Sequence, residues 1–156
     1  MSSEGSRRRR NRSQRPPLTE QSYGGVVVRG AEGSFEVATI VPRGKRAVAL
    51  PKGGPETGED AAATATREVR EETGLTARVR APLGDVTYWY RRSGRRVYKT
   101  VSFFLLDYVE GSTDDHDHEV TEARWLPVDE ALAKLTYPGE REMLEEAVRL
   151  LAAADG

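Results

Sequence analysis

The 156-residue chain has no cysteine. A disulfide framework, a thiolate metal centre and a cysteine nucleophile are therefore excluded, and a reducing cytosol suits the composition. No apolar run approaches the ~20 residues that a membrane-spanning helix requires. The longest, around Val101 to Leu106, is strand-sized. No apolar export-type segment accompanies the basic N-terminal stretch, so cytoplasmic residence without membrane contact is the expectation. Histidine is scarce too: His116 and His118 are the only two. An i, i+2 pair with no further Cys or His makes a weak zinc motif. Internal repeats are also lacking.

What is present is ordinary for one soluble domain: 37% hydrophobic and 31% charged residues, at a length that can bury a proper core. The formal net charge of −1 conceals a split. Residues Met1 to Pro17 carry six arginines (Arg7, Arg8, Arg9, Arg10, Arg12 and Arg15) against Glu4 alone, a charge of +5 that leaves −6 on the remainder. Ser, Arg, Asn and Pro without apolar residues cannot offset the entropy of ordering. Residues 1–17 thus read as a disordered basic tail and 18–156 as the folded domain. The tail is either an arm for nucleic acid or another polyanion, or a solvated segment with no partner.

The chain is organised around Gly53 to Leu75, which follows the pattern G-x5-E-x7-R-E-(apolar)-x-E-E-x-G-(apolar). From Asp60 the segment is rich in Ala and Glu and free of Gly and Pro until Gly74. That predicts a helix over Asp60 to Thr73, N-capped by Asp60 and ended by a left-handed Gly74. Ala62, Ala65 and Val69 form a narrow stripe of mostly small residues suited to lying close on a sheet. Glu68, Glu71 and Glu72 share another face, where like charges destabilise a bare helix by a few tenths of a kcal/mol per pair. Arg67 can pair with Glu71, which leaves Glu68 and Glu72 in need of a cation. Clustered hard oxygens suit Mg²⁺ or Mn²⁺. The competing reading is a solvated Arg–Glu helix face.

The glycine loop ahead of the helix tips that balance. Its seven specified Gly, Glu and Arg positions would match by chance in roughly one chain of this length in a million. The pattern is the Nudix box, and the chain resembles a Nudix hydrolase. The resemblance implies an α/β fold, an α/β/α sandwich with a mixed sheet, and a pyrophosphohydrolase that uses Mg²⁺ or Mn²⁺. It makes Glu68 and Glu72 the direct metal ligands and gives Glu71 a ligating or water-positioning role. Arg67 would orient a glutamate, Glu59 would be more structural, and the Gly53 carbonyl is a further candidate ligand. The family often adds a carboxylate shortly before a Trp-bearing strand. Glu119, six residues before Trp125, occupies that position as extra ligand or general base, with Glu122 the fallback. Asp114, Asp115 and Asp117 read as a solvated loop.

Around the box, the elements expected are a strand at Gly24 to Val28, entered through flexible glycines, with Phe35 to Val41 as its hairpin partner. A short strand at Ala47 to Leu50 and another at Leu75 to Arg80 follow. Asp85 to Tyr90 and Val97 to Tyr108 form a long hairpin turning at Ser-Gly. After a polar loop at Gly111 to Asp117 come a strand at Glu122 to Leu126, a short helix at Val128 to Leu135 and a closing helix at Gly139 to Ala153. Leu144, Ala147 and Leu151 lie on one stripe of that last helix.

Substrate class is less sharply written. Leu50-Pro51-Lys52-Gly53, Tyr98-Lys99-Thr100 and the segment from His116 to Trp125 together resemble asymmetrical diadenosine tetraphosphate hydrolases. Tyr137-Pro138-Gly139-Glu140 resembles related bacterial diadenosine polyphosphate hydrolases, in which an aromatic near the last helix stacks on adenine. Tyr137 takes that role by resemblance. Independently, a polyphosphate needs cations along its length, and Lys52, Lys99 and Arg96 are candidates to supply them. Tyr88 and Tyr90 share a face of the hairpin and can hold a base, whereas Trp89 reads as sheet packing. The resulting expectation is a nucleotide substrate, diadenosine tetraphosphate cut to ATP plus AMP. The alternatives are a MutT-like hydrolase of damaged nucleoside triphosphates, a hydrolase of ADP-ribose or inositol pyrophosphates, and a catalytically idle nucleotide- or RNA-binding module. Complete possession of Arg67, Glu68, Glu71 and Glu72 argues against the last, because a binding module has no use for so repulsive a cluster.

Overall fold

The computed structural model describes residues 15–31 and 33–155. The basic tail as far as residue 14 lies outside the described residues. The elements in chain order are β1 (Leu18–Arg29), β2 (Glu36–Pro42), β3 (Lys52–Gly53), α1 (Ala61–Thr73), β4 (Leu75–Arg92), β5 (Arg95–Gly111), β6 (Val120–Pro127), α2 (Val128–Lys134) and α3 (Pro138–Asp155). A turn of 3₁₀ helix at Thr113–Asp115 precedes β6.

The six strands form one sheet in the order β4-β5-β1-β2-β6, with β3 pairing β1 beside β2. Only β1 and β5 run parallel, so the sheet is mixed, as expected. One face packs against α1 through Val27, Ala38, Val69, Leu75, Ala77 and Leu106. The other packs against α2 and α3 through a larger cluster that includes Phe103, Leu135, Leu144 and Leu151. Covering both faces of a sheet with helices is the α/β/α sandwich. The stripe expected on the closing helix is buried at Leu144, Ala147 and Leu151.

Several local expectations need correction. β1 starts at Leu18 rather than Gly24, because its parallel register with β5 already begins at Leu18↔Val97 and gives the polar segment a ladder. Gly24 and Gly25 serve close approach rather than flexibility. A Cβ at Gly24 would lie 2.5 Å from the Pro51 carbonyl oxygen, and one at Gly25 would lie 2.4 Å from Leu106 Cδ1. Ala47 to Leu50 forms no strand and contributes a single bridge, Ile40↔Ala49. The strands expected at Leu75–Arg80 and Asp85–Tyr90 are one strand, β4, which absorbs Pro82 and Gly84 in register irregularities. Trp89 is not packed in the sheet: it is 53% exposed. It lies beyond the part of that face that α1 covers.

Candidate active site

Helix α1 forms as its sequence prescribes. The Asp60 carboxylate accepts from Ala63 N at 2.8 Å, and Gly74, at φ 79°, donates to Arg70 O at 2.9 Å. Ala65 and Val69 are buried against the sheet, but Ala62 is only half-buried. Thr64 and Thr73 are fully buried with them, which the stripe did not foretell. Their hydroxyls turn back onto the helix, Thr64 to Asp60 O at 2.9 Å and Thr73 to Val69 O at 2.5 Å, so that methyls rather than bare polar groups meet the core.

The opposite side of α1 carries the carboxylates. Arg67 is their hub. It donates through Nε to Glu59 Oε2 at 2.7 Å, through Nη2 to Glu59 Oε1 at 3.0 Å and to Gly54 O at 2.8 Å, and through Nη1 to Glu68 Oε1 at 2.9 Å and Glu71 Oε2 at 3.1 Å. Glu59 also accepts from Glu56 N at 2.8 Å. These donors hold its carboxyl at about 2, far below the usual carboxylate range, with the Arg67 hydrogen bond foremost. Glu59 thus knots the loop to the helix, which is the structural role expected of it.

Glu68 and Glu72 are held differently. Glu68 presses on Gly53 so closely that a Cβ there would stand 2.2 Å from Glu68 Cδ. A side chain at position 53 would have to displace that carboxylate. Glu72 accepts from Lys52 N at 2.8 Å through Oε1. Burial pushes both carboxyls up, Glu72 to about 8, against the opposing pull of Arg67 on Glu68 and of the Lys52 amide on Glu72. Glu71 stands exposed at the rim.

The loop before β6 closes over this end of the helix. Asp117 N donates to Glu71 O at 2.7 Å, and Glu119 N to Asp117 Oδ1 at 3.1 Å. Glu119 is exposed and near enough to raise the Glu68 pKa by charge repulsion. Asp117, expected to belong to a solvated loop, is half-buried and repels Glu72 in the same way. Glu122 turns away to Arg124, 3.4 Å distant. The His116 ring Nδ1 lies 2.8 Å from Asp117 O, so this imidazole faces its own loop.

The residues suit a divalent metal by type: four glutamates with hard oxygens, two of them deprived of water without a full counter-charge. Among the described residues, no three acidic or histidine side chains already form a ligating set. The Arg67 guanidinium lies between Glu68 and Glu71.

Lys52 connects the carboxylates to a cleft. While its amide holds Glu72, its Nζ sits 3.6 Å from Glu140 Oε2 and 5.8 Å from the centre of the Tyr137 ring. The cleft, about 680 Å³, is lined by Lys45, Lys52, Tyr88, Phe103, Tyr137 and Glu140 among others. Lys99 is paired across the strands with Tyr88, on the same side, and its ammonium pKa is lowered first by burial and then by Lys52. Lys52, Lys99, Tyr88 and Tyr137 are therefore brought together. Arg96 is not: it is paired with Arg91 and stacks on Trp89, on the other face of the hairpin.

Glu140 escaped the sequence reading. It is 3% exposed, accepts from Leu50 N at 2.7 Å, and fixes Lys52. Burial raises its pKa. The signal was available, since Glu140 falls on the same helical stripe as Leu144, Ala147 and Leu151, where a charge needs a buried partner.

Comparison with known proteins bears on the site as a whole. A model of the NUDIX domain matches residues 21–147. The Mycobacterium tuberculosis protein MutT4 is 40% identical over 149 residues, covering 92% of this chain and 60% of the relative. An 8-oxo-(d)GTP phosphatase of Mycolicibacterium smegmatis is 35% identical over 127 residues, 81% of this chain and 37% of the relative. The chain thus spans about three-fifths of the first relative's length and little more than a third of the second's. Among solved structures, the C. elegans Ap4A hydrolase in a binary complex superimposes with a TM-score of 0.66 at 21% identity, over 86% of this chain and 98% of that one. At that identity the likeness speaks for the fold. With a carboxylate helix built on the box and a domain match over most of its length, the chain belongs to the Nudix family, whose hydrolases act on phosphoanhydride bonds and generally need divalent metals.

Proposed function

We propose that this chain is a divalent-metal-dependent pyrophosphohydrolase of nucleoside polyphosphates. The observation that carries the reading is the junction at Lys52, whose amide holds Glu72 while its ammonium lines a cleft walled by Tyr88 and Tyr137. One residue thereby couples the carboxylates to a place for phosphate and base. Bound Mg²⁺ or Mn²⁺ would be held by Glu68 and Glu72, with Glu71, Glu119 and the Gly53 carbonyl as further candidates, and would supply phosphate charge neutralisation. Glu140 holds Lys52 toward the cleft, where its ammonium meets phosphate oxygens. Lys99, half-buried and 3.9 Å from Glu20, offers a second cation further along. Glu71 and Glu119, both exposed at the rim, are the carboxylates available to take a proton from the attacking water. Arg67 keeps Glu68 and Glu71 oriented.

For the substrate, we favour a dinucleoside polyphosphate such as diadenosine tetraphosphate, cut asymmetrically to ATP plus AMP. Two lysines lining the cleft, Lys45 and Lys52, with Lys99 opposite Tyr88 on the neighbouring strand, suit a long phosphate chain. Stacking on Tyr137 suits a base held at a distance from the carboxylates. A second reading, a damaged nucleoside triphosphate, draws support from the relative named 8-oxo-(d)GTP phosphatase. Incubation of diadenosine polyphosphates, ADP-ribose and oxidised nucleoside triphosphates with Mg²⁺ or Mn²⁺, with chromatography of the products, separates them. ATP plus AMP from the tetraphosphate supports the first reading. A clear preference for oxidised guanine triphosphate moves the chain to the second, and no metal-dependent hydrolysis of any member overturns both.

A further inference from the structure

The tip of the β4–β5 hairpin carries a surface that the cleft does not use. Arg91, Arg92, Arg95 and Arg96 fall within six residues around the Ser93-Gly94 turn, and the register sets Arg91 opposite Arg96 and Arg92 opposite Arg95. Like charges placed directly across a ladder repel. Arg92 is relieved by an ion pair with Glu20, and Arg95 donates to Pro16 O through Nη2 at 3.0 Å and Nε at 3.3 Å. Among the described residues, Arg91 and Arg96 pair with no carboxylate.

Beside them lies Trp89, 53% exposed, with the Arg96 guanidinium 4.6 Å from its ring centre and the Tyr98 ring 4.8 Å away at 45°. Trp89, Tyr90, Arg91 and Arg96 line a shallow hollow of about 490 Å³. Because cross-strand partners share a face, Trp89, Tyr98, Arg91 and Arg96 lie on the side of the hairpin opposite Tyr88 and Lys99. The first described residues meet the fold here, since Arg95 donates to Pro16 O and Leu18 pairs with Val97; the arginine-rich stretch precedes them in sequence.

We propose that this hairpin tip binds single-stranded nucleic acid, with phosphates on Arg91 and Arg96 and a base stacked on Trp89. Arginines without a carboxylate partner beside a half-exposed indole match that ligand's two repeating features, backbone charge and accessible base planes. A duplex offers the charge but hides the base planes. An acidic peptide carries charge without a stackable plane at each repeat.

The test is fluorescence anisotropy of a labelled oligothymidylate of about 20 nucleotides with the full chain, against a duplex of equal length. Trp89→Ala should weaken single-strand binding about tenfold, and Trp89→Phe should recover most of it. Replacing Arg91 and Arg96 together by Ala should flatten the salt dependence by about 0.7 for each phosphate no longer neutralised. A chain starting at Arg15 should bind more weakly yet keep its dependence on Trp89. Circular dichroism confirms that each variant is folded. The proposal is overturned if the full chain does not bind the oligonucleotide, if Trp89→Ala binds as tightly as wild type, or if the duplex binds as well as the single strand. The last two results would leave the basic segment acting as a plain polycation.

Discussion

Glu59 and Glu72 come from one motif, one just before helix α1 and one in its last turn, yet they sit in opposite electrostatic states. Glu59 receives Arg67 through both oxygens and its carboxyl is held at about 2. Glu72 receives a single backbone amide, and burial drives it up to about 8. The first is a satisfied anion that ties a loop to a helix. The second is a carboxyl that burial keeps mostly protonated near neutral pH, so that it ionises fully only when something positive balances it. Under the proposed function, one motif thus supplies a fastening glutamate, Glu59, which Arg67 grips, and a working one, Glu72, which Arg67 does not touch.

The difference breaks most visibly at the working end. Glu72→Gln or Glu68→Gln should lower kcat at least ~100-fold, as expected for losing a charged group that acts on the transition state. Neither variant should lose thermal stability, because burial already opposes ionisation of both carboxyls and a neutral amide of the same shape takes their place. Denaturation curves beside the kinetics check both halves. Gly53→Ala tests the same region through shape. A methyl placed 2.2 Å from Glu68 Cδ must displace that carboxylate, so kcat should fall by about tenfold or more, with little change in urea unfolding because the group that moves is the end of a flexible side chain.

The contrast sharpens with smaller effects elsewhere. Tyr137→Ala should raise KM for a nucleotide substrate while changing kcat little, as removal of an interaction equal in ground and transition states does. At the fastening end, Glu59→Gln should lower the unfolding midpoint while sparing kcat relative to Glu72→Gln. The Glu59 pKa in the folded chain lies below the ordinary 4.5, so its stabilisation is complete above pH 4.5 and disappears as pH falls toward 2. Between those limits, wild type should lose stability more steeply than Glu59→Gln in urea titrations at successive pH values.

Sequence made the box helix legible because its determinants are local. Asp60, the Gly-free run and Gly74 act within a few residues of one another, and Glu68 and Glu72 share a face by helical geometry alone. The mixed sandwich was readable from the alternation of elements and from the family resemblance. What escaped depends on contacts between distant residues. Glu140 meets Leu50 across 90 positions. Asp117 becomes part of the site only because its loop docks on the end of α1. Arg96 has the charge of a cleft cation, but the register of β4 with β5 sends it to the other face. Trp89 was expected to pack because aromatic residues in strands usually do, but the hairpin runs past the helix that would have covered it.

The claim that Glu72 works while Glu59 fastens is tested most directly by Mn²⁺ binding, followed through the electron paramagnetic resonance signal of the free ion, for wild type, Glu72→Gln and Glu59→Gln. The account predicts that wild type binds Mn²⁺, that Glu59→Gln stays within about threefold of it, and that Glu72→Gln weakens binding by about tenfold or more, since affinity for hard cations follows the count of charged oxygen ligands. Binding by Glu72→Gln equal to wild type, or a greater loss in Glu59→Gln than in Glu72→Gln, would contradict it.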